Sequence, residues 1–398
     1  MQSNDLLLIE IQSFLKKVMI MKFGYFYNLT NWDHRPYQEL IDETRNVAQY
    51  CDKTGWDSIW MTEHHINHEG MDACPNPLMM SADIAARTQQ IRVGQAASII
   101  PFWNPLRFAE DVALLDQLSN GRVECGIGRG VYGREAIHMN PEADVANPAK
   151  NYRLFEESLN IIKKAWTQDL FDHQGEFYTY PAPNFKWQHD MSPPDPSFMD
   201  LETNTLTKIG LVPRPLQQPH PPIWQVVDGA SSIEWAGLHG LKSIMWIPTV
   251  AALKPRFEIF QKARSEYKGH QVPLGEGISL VRDMFVADSM DEARELAAEG
   301  ILTYIRWIAH WRGLGNHMNP GEELPETPNK LDLLDYDFLH PRNLLFGTPD
   351  YVAEKIHELQ TELGLEHLQV WSNFPCVPHK HVMKSVRMFT EKVMPQFS

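Results

Sequence analysis

Ile91-Arg92-Val93-Gly94-Gln95-Ala96-Ala97-Ser98-Ile99 is a short β-rich apolar run, and Arg122-Val123-Glu124-Cys125-Gly126-Ile127 is a second. Between them, Pro105-Leu106-Arg107-Phe108-Ala109-Glu110-Asp111-Val112-Ala113-Leu114-Leu115-Asp116-Gln117-Leu118 carries helical periodicity. Strand, helix and strand in that order are one β/α unit of a parallel sheet and the start of the next. The same alternation extends outward on both sides. Strands are predicted at 22–28, 58–62, 91–99, 122–127, 223–227, 243–247, 278–286 and 367–371. The best helical stretches are 37–53, 78–87, 105–118, 152–166, 231–238, 290–311, 349–363 and 379–393. About eight such units predict an α/β fold, a (β/α)8 TIM barrel with insertions.

Two stretches break the alternation, and long loops in a compact domain are commonly functional. Residues 181–222 are rich in Pro, Asp and Asn with little periodicity, and are expected to cover one end of the barrel. Residues 313–337 combine Gly, Asn, Pro and acidic residues and read as a mobile lid. Residues 1–20 carry no barrel element and read as an N-terminal extension, leaving 21–398 as a single barrel domain.

With 43% hydrophobic and 22% charged residues, the composition is that of a soluble globular protein with a large core. No run approaches the ~18 apolar residues of a membrane span, and residues 1–20 lack the layout of a signal peptide. These features predict a cytoplasmic protein without a membrane partner. Cys51, Cys74, Cys125 and Cys376 are scattered with no C-x-x-C pair, which predicts free thiols. A formal charge of −15 with no basic stripe argues against nucleic acid as a partner.

Trp60-Met61-Thr62-Glu63-His64-His65 closes a predicted strand and opens a loop. Side chains at strand C-terminal ends face the active site of a parallel barrel. A histidine there can exchange protons near neutral pH, and a neighbouring carboxylate can fix its tautomer. His68 follows closely, so a metal site enters consideration. Residues 23–27 hold no His-x-His pair, however, and no H-E-x-x-H helix is present, so no metal is predicted.

Residues 126–133 contain the pattern G-x-G-x-x-G from Gly128. A dinucleotide fold requires those glycines to open a long helix at once, yet Pro141 and Pro148 precede the next strong helical pattern. The favoured alternative is a strand-end loop whose N–H groups, at Gly130 among others, and Arg129 hold a phosphate. Asp228-Gly229-Ala230-Ser231-Ser232 lies between a predicted strand and helix. Its residues are placed either to cap the helix or to bind phosphate there.

Taken together, these segments resemble the luciferase-like monooxygenases, with interruptions, from Met21 to about Pro395. The resemblance is carried by residues 21–24, 63–65, 93–97, 104–122, 126–130, 221–224, 234–236 and 346–349, the longest being 104–122. It implies a barrel that takes reduced FMN from a separate reductase and reacts it with O₂ to a flavin C4a-peroxide, which oxygenates a small organic substrate. It also implies that His64 does acid/base work near the flavin, with Glu63 beside it in the same motif. Ala96 and Ala97 match a pair joined by a non-prolyl cis peptide under the isoalloxazine ring. Arg129 matches the arginine that contacts the flavin phosphate, with Glu110 expected close to it. Asp228, Gly229 and Ser232 match the other phosphate-contacting positions.

Light-emitting members carry cysteine at the position of Gly128 and serine at that of Gly229, which argues against light emission. The insertion before Pro213 is longer than theirs, which argues against a long-chain aldehyde. Trp246, Trp307 and Trp311 are candidates for an aromatic substrate wall. Members commonly pair through helices near the second and third strands, so a homodimer is expected through 78–87 and 105–118. Two alternatives stand beside the monooxygenase: an F420-dependent hydride-transfer oxidoreductase on the same barrel, and a non-catalytic flavin-binding protein.

Overall fold

The computed structural model describes residues 20–323 and 330–397. Residues 1–19 of the expected extension and 324–329 of the expected lid lie outside the described residues. The described residues fall into two compact units: residues 27–53 with 58–226, and residues 20–26 with 54–57, 227–323 and 330–397.

The first unit contributes β2 (Ser58–Met61), β3 (Arg92–Gln95), β4 (Val123–Gly128) and β5 (Ile223–Val226), paired in parallel in that order. Register is fixed by pairs such as Trp60 with Gly94 and Trp224 with Gly126. Both glycines are sterically required. A Cβ on Gly94 would meet the Trp60 ring at 2.3 Å, and one on Gly126 would collide with the Gln95 carbonyl. Trp60 and Trp224 then pack edge to face, with ring centroids 5.5 Å apart.

Three helices of this unit begin at an Asn-Pro pair: Pro77–Ala85, Pro105–Leu118 and Pro148–Thr167. In each, the Asn carboxamide accepts a hydrogen bond from an N–H of the first turn, while the proline occupies a site whose missing N–H costs nothing. The expected strand 91–99 is two strands, Arg92–Gln95 and Ser98–Ile99, with the cis Ala96–Ala97 peptide between them. The stretch 181–222 holds one small antiparallel pair, Met199–Asp200 with Thr205–Leu206, and cis prolines at 181, 213 and 219.

The second unit contributes β1 (Lys22–Tyr27, all but its last residue), β6 (Lys242–Trp246), β7 (Ile278–Val286) and β8 (His367–Trp371). β6 pairs β7, β7 pairs β8 and β8 pairs β1, all parallel, and the short strand Leu344–Gly347 adds to the end of β7. Helix Met290–Arg312 starts on a Ser289 cap whose hydroxyl accepts from the Glu292 N–H, and Glu292 in turn accepts from the Asp288 N–H. Gly269 and Gly364 stop their helices in the left-handed conformation. Four principal strands from each unit, alternating with helices along the chain, make the (β/α)8 barrel with insertions that the sequence predicts. No helix among the described residues is long and apolar enough to cross a membrane.

Candidate active site

β2 ends at Met61, and the chain leaves it through Thr62, Glu63 and His64. The Thr62 hydroxyl donates to Asn28 at 3.0 Å, and the His64 N–H donates to the Cys74 carbonyl at 2.9 Å, so the turn is fixed from both sides. Glu63, 1% exposed, has both carboxylate oxygens engaged. It accepts from the Ile99 N–H at 2.9 Å and the Trp103 indole at 3.0 Å, and meets His65 Nε2 at 2.9 Å. Glu63 therefore ties the loop after β2 to the segment that follows the cis peptide.

His64 lies between two buried carboxylates. Its Nδ1 is 3.2 Å from Glu135 Oε1, and its Nε2 is 3.9 Å from Asp72 Oδ2. Glu135 also accepts from the His65 N–H at 2.8 Å. Asp72 is held by Asn28 Nδ2 at 2.7 Å and by the Tyr132 hydroxyl at 3.2 Å, and the Tyr132 ring lies 5.2 Å from that of His64. Two carboxylates on opposite sides of one imidazole fix its plane. Sequence reasoning missed Asp72, Tyr132 and Glu135. Tyr132 sits inside the glycine run and Glu135 two residues past it, so an acid just beyond such a loop was a usable signal; nothing in the sequence marked Asp72.

Arg129 follows β4. Its guanidinium reaches Asn151 Oδ1 at 3.4 Å and lies 5.3 Å from the Tyr152 ring centre, and burial pushes its pKa below the ordinary value. Among the described residues no carboxylate pairs with it. Asn151 also donates to the Arg129 carbonyl at 3.0 Å, which anchors the loop to helix Pro148–Thr167. Gly130 has φ +87°, and a Cβ there would sit 3.2 Å from Phe102. Glu110, expected beside Arg129, is half-buried on helix Pro105–Leu118, and no ion pair joins the two.

In the second unit, Gly229 is the N-cap of helix Ala230–Leu238 and no side chain caps that end. The Ser232 hydroxyl instead turns back to the Gly229 carbonyl at 2.8 Å, while Ser231 is exposed. A helix start leaves its first N–H groups, here those of Ala230 and Ser231, available to an anion. Asp228 pairs with Arg256 at 2.9 Å, so a cation adjoins this turn.

Trp246 is half-buried and packs against Phe26, Tyr304 and Trp371 at 5.4, 5.9 and 5.9 Å. Trp307 joins that cluster through Tyr304 at 6.1 Å. Trp311 stands apart, 46% exposed and edge-on to His310.

Each group of residues has features that suit a phosphate-bearing flavin. Arg129 lacks an acidic partner among the described residues, and the Gly130 backbone takes a conformation a side chain would strain. The Gln95 Oε1 and Ser98 Oγ atoms, flanking Ala96 and Ala97, are buried without a partner. No group of three or more metal-binding side chains occurs among the described residues.

The luciferase-like monooxygenase family pattern matches residues 21–367. The chain belongs to this family. It is similar to the oxygenase component of a flavin-dependent trigonelline monooxygenase from Acinetobacter baylyi, 27% identical over 95% of this chain and 96% of that one. It also matches 2,5-diketocamphane 1,2-monooxygenase 1 from Pseudomonas putida, 25% identical over 86% of this chain and 90% of that one. Among solved structures, the oxygenating constituent of 3,6-diketocamphane monooxygenase from Pseudomonas putida, in complex with FMN, shares the fold. Its TM-score is 0.75, with 23% identity over 94% of this chain and 98% of that one. An F420-dependent secondary alcohol dehydrogenase shares it with a TM-score of 0.66 and 16% identity, covering 95% and 99% of the two chains. This luciferase-like monooxygenase is thus an oxidoreductase that uses flavin.

Proposed function

We propose that this luciferase-like monooxygenase is the oxygenase component of a two-component system, with residues 21–398 as one catalytic domain. Reduced FMN from a separate reductase would, with O₂, supply the flavin C4a-peroxide chemistry that oxygenates a small organic substrate. The observation that carries this reading is His64 held between buried Glu135 and Asp72, next to the Glu63 anchor and the Ala96–Ala97 segment. Arg129, the Gly130 N–H and the turn formed by Asp228, Gly229, Ala230, Ser231 and Ser232 would hold the phosphate, with Glu110 nearby. Ala96 and Ala97 would support the ring, and Trp246, Trp307 and Trp311 would line the substrate side.

In this reading His64 is the proton holder. Glu135 at Nδ1 makes that nitrogen a donor and leaves Nε2 as the atom that exchanges a proton with the reacting groups. Tyr132 and Asn28 keep Asp72 in place, so the second carboxylate stays beside the imidazole. Glu63, fully engaged by Ile99, Trp103 and His65, positions the loop and moves no proton.

The protein is read as a cytoplasmic homodimer. Met79, Leu114 and Leu118 are 71%, 48% and 63% exposed on the helices Pro77–Ala85 and Pro105–Leu118, an apolar surface suited to a second copy. A dimeric mass by light scattering at micromolar concentration is expected, and a monomeric mass refutes the pairing.

Stopped-flow absorbance tests the chemistry: protein with anaerobically reduced FMN is mixed with oxygenated buffer beside a free-flavin control. A transient that outlives the control, and loses that lifetime in His64→Ala, is the expected result. Oxidation indistinguishable from free flavin refutes it, and F420 binding by that same sample would then select the hydride-transfer chemistry.

A further inference from the structure

β7 places two opposite charges side by side, Arg282 and Asp283, and strand alternation sends them to opposite faces. Arg282 donates to the Pro248 carbonyl at 2.6 Å and to the Val281 carbonyl at 3.3 Å. It lines a small surface recess together with Arg342 and Lys355. Its guanidinium hydrogen-bonds to these carbonyls and not to Asp283, although its charge still acts on that carboxyl.

Asp283, 5% exposed, receives one hydrogen bond among the described residues, from the Trp246 indole at 3.3 Å. Trp371 is its register neighbour on β8, and Trp246 ends the strand on its other side. Tyr304 closes on Trp371 at 4.6 Å and on Trp246 at 5.9 Å, and Phe26 meets Trp246 at 5.4 Å. The buried Asp283 carboxyl thus adjoins Trp246 and Trp371, which form one aromatic cluster with Phe26 and Tyr304, and among the described residues no cation hydrogen-bonds to it.

We propose that Asp283, with Trp246, Phe26, Tyr304 and Trp371, is the substrate-selecting end of the site and recognises a cationic group, a quaternary ammonium or an N-alkylated heteroaromatic ring. This deepens the monooxygenase reading and rests on it.

The chemistry of the cluster discriminates among substrates. A carboxylate in apolar surroundings is costly unless paired, so an anionic ligand would add repulsion and a neutral ring would leave the carboxylate as it stands. A cation pairs the carboxylate and is attracted by the ring faces at the same time. Trp246 and Trp307 are the half-buried aromatics of the cluster and its neighbour, so the ligand reaches Asp283 across flat indole surface.

The test compares N-methylpyridinium with toluene, its neutral isostere, as ligands of the full-length protein at pH 8, with and without saturating FMN, read by calorimetry and tryptophan fluorescence. The cation is expected to bind about tenfold tighter than toluene, the preference an aromatic–carboxylate site supplies. Asp283→Asn should reduce that preference to less than about threefold, since it keeps the shape and removes the charge. Trp246→Leu should weaken the cation, and it serves if the Asn variant does not fold. Equal affinities in the unmodified protein, no binding of either ligand, or a preference that survives Asp283→Asn would overturn the proposal. The FMN titration of the same samples separates the two readings: selectivity lost with FMN bound sinks this inference alone, whereas absence of FMN binding sinks the monooxygenase reading.

Discussion

Replacing Asp283 by Asn should stabilise the flavin-free protein above neutral pH and remove much of its loss of stability between pH 4 and 7. Burial among Trp246, Tyr304 and Trp371 pushes the Asp283 carboxyl up from 3.8 to about 7, with Arg282 and the indole N–H opposing the rise. The sign follows from proton binding. Below pH 3.8 the group is protonated in both folded and unfolded chains and costs nothing. As pH rises, the unfolded chain releases this proton while the folded chain keeps it, so stability falls until about pH 7 and then levels off. At about 1.4 kcal/mol per pH unit, the penalty at pH 8 is roughly 4 kcal/mol. The carboxamide has no proton to lose and preserves the bond from Trp246. Urea denaturation of both proteins at pH 4, 5, 6, 7 and 8 gives the difference directly, because all other titrating groups are common to the pair. The Asn variant should match or trail the original at pH 4 and exceed it by several kcal/mol at pH 8. Parallel stability curves across this range would refute the placement of an ionisable carboxyl in that cluster.

Glu135→Gln keeps the contact to His64 Nδ1 without its charge, so turnover should fall by about 10- to 100-fold, the effect of one charge-assisted bond, with the thermal midpoint little changed. Unchanged turnover, or a fall matched by loss of folded protein, would assign Glu135 to folding alone. Arg129→Met should weaken FMN by at least about tenfold while leaving riboflavin affinity unchanged, since the guanidinium serves only the phosphate in this reading. Equal losses for both flavins in parallel titrations would count against it. Gly130→Ala should cost about 1–2 kcal/mol of stability, because φ is +87° and the added methyl would crowd Phe102, as thermal denaturation will show. An unaltered midpoint would mean that the loop relaxes freely.

How much of this was legible in the sequence depends on the range over which each signal acts. The eight principal strands were readable because each is a short apolar run bounded by turn chemistry, and the Asn-Pro starts at 76, 104 and 147 are local instructions that need no tertiary partner. The helix Val250–Lys268 was missed: Pro255 lies inside it and charged residues are spread along it, so neither composition nor periodicity announces a helix that packing nonetheless supports. The strand Leu344–Gly347 was missed for the opposite reason, being too short to stand out although β7 supplies its partners. The same division runs through the site. His64 and Arg129 follow strands and were readable from that placement, whereas Asp72 acts on His64 from within an irregular loop whose path is fixed by Asn28 and Tyr132, residues 44 and 60 positions away. Asp283 is the clearest case. In the sequence it is one half of an adjacent Arg-Asp pair inside the predicted strand 278–286, and only the alternation of β7, with Arg282 drawn to the Pro248 carbonyl, leaves the carboxyl with the Trp246 indole as its hydrogen-bond donor. What separates the two charges is the pleat of the strand, so the chemistry assigned to Asp283 is a property of register rather than of composition.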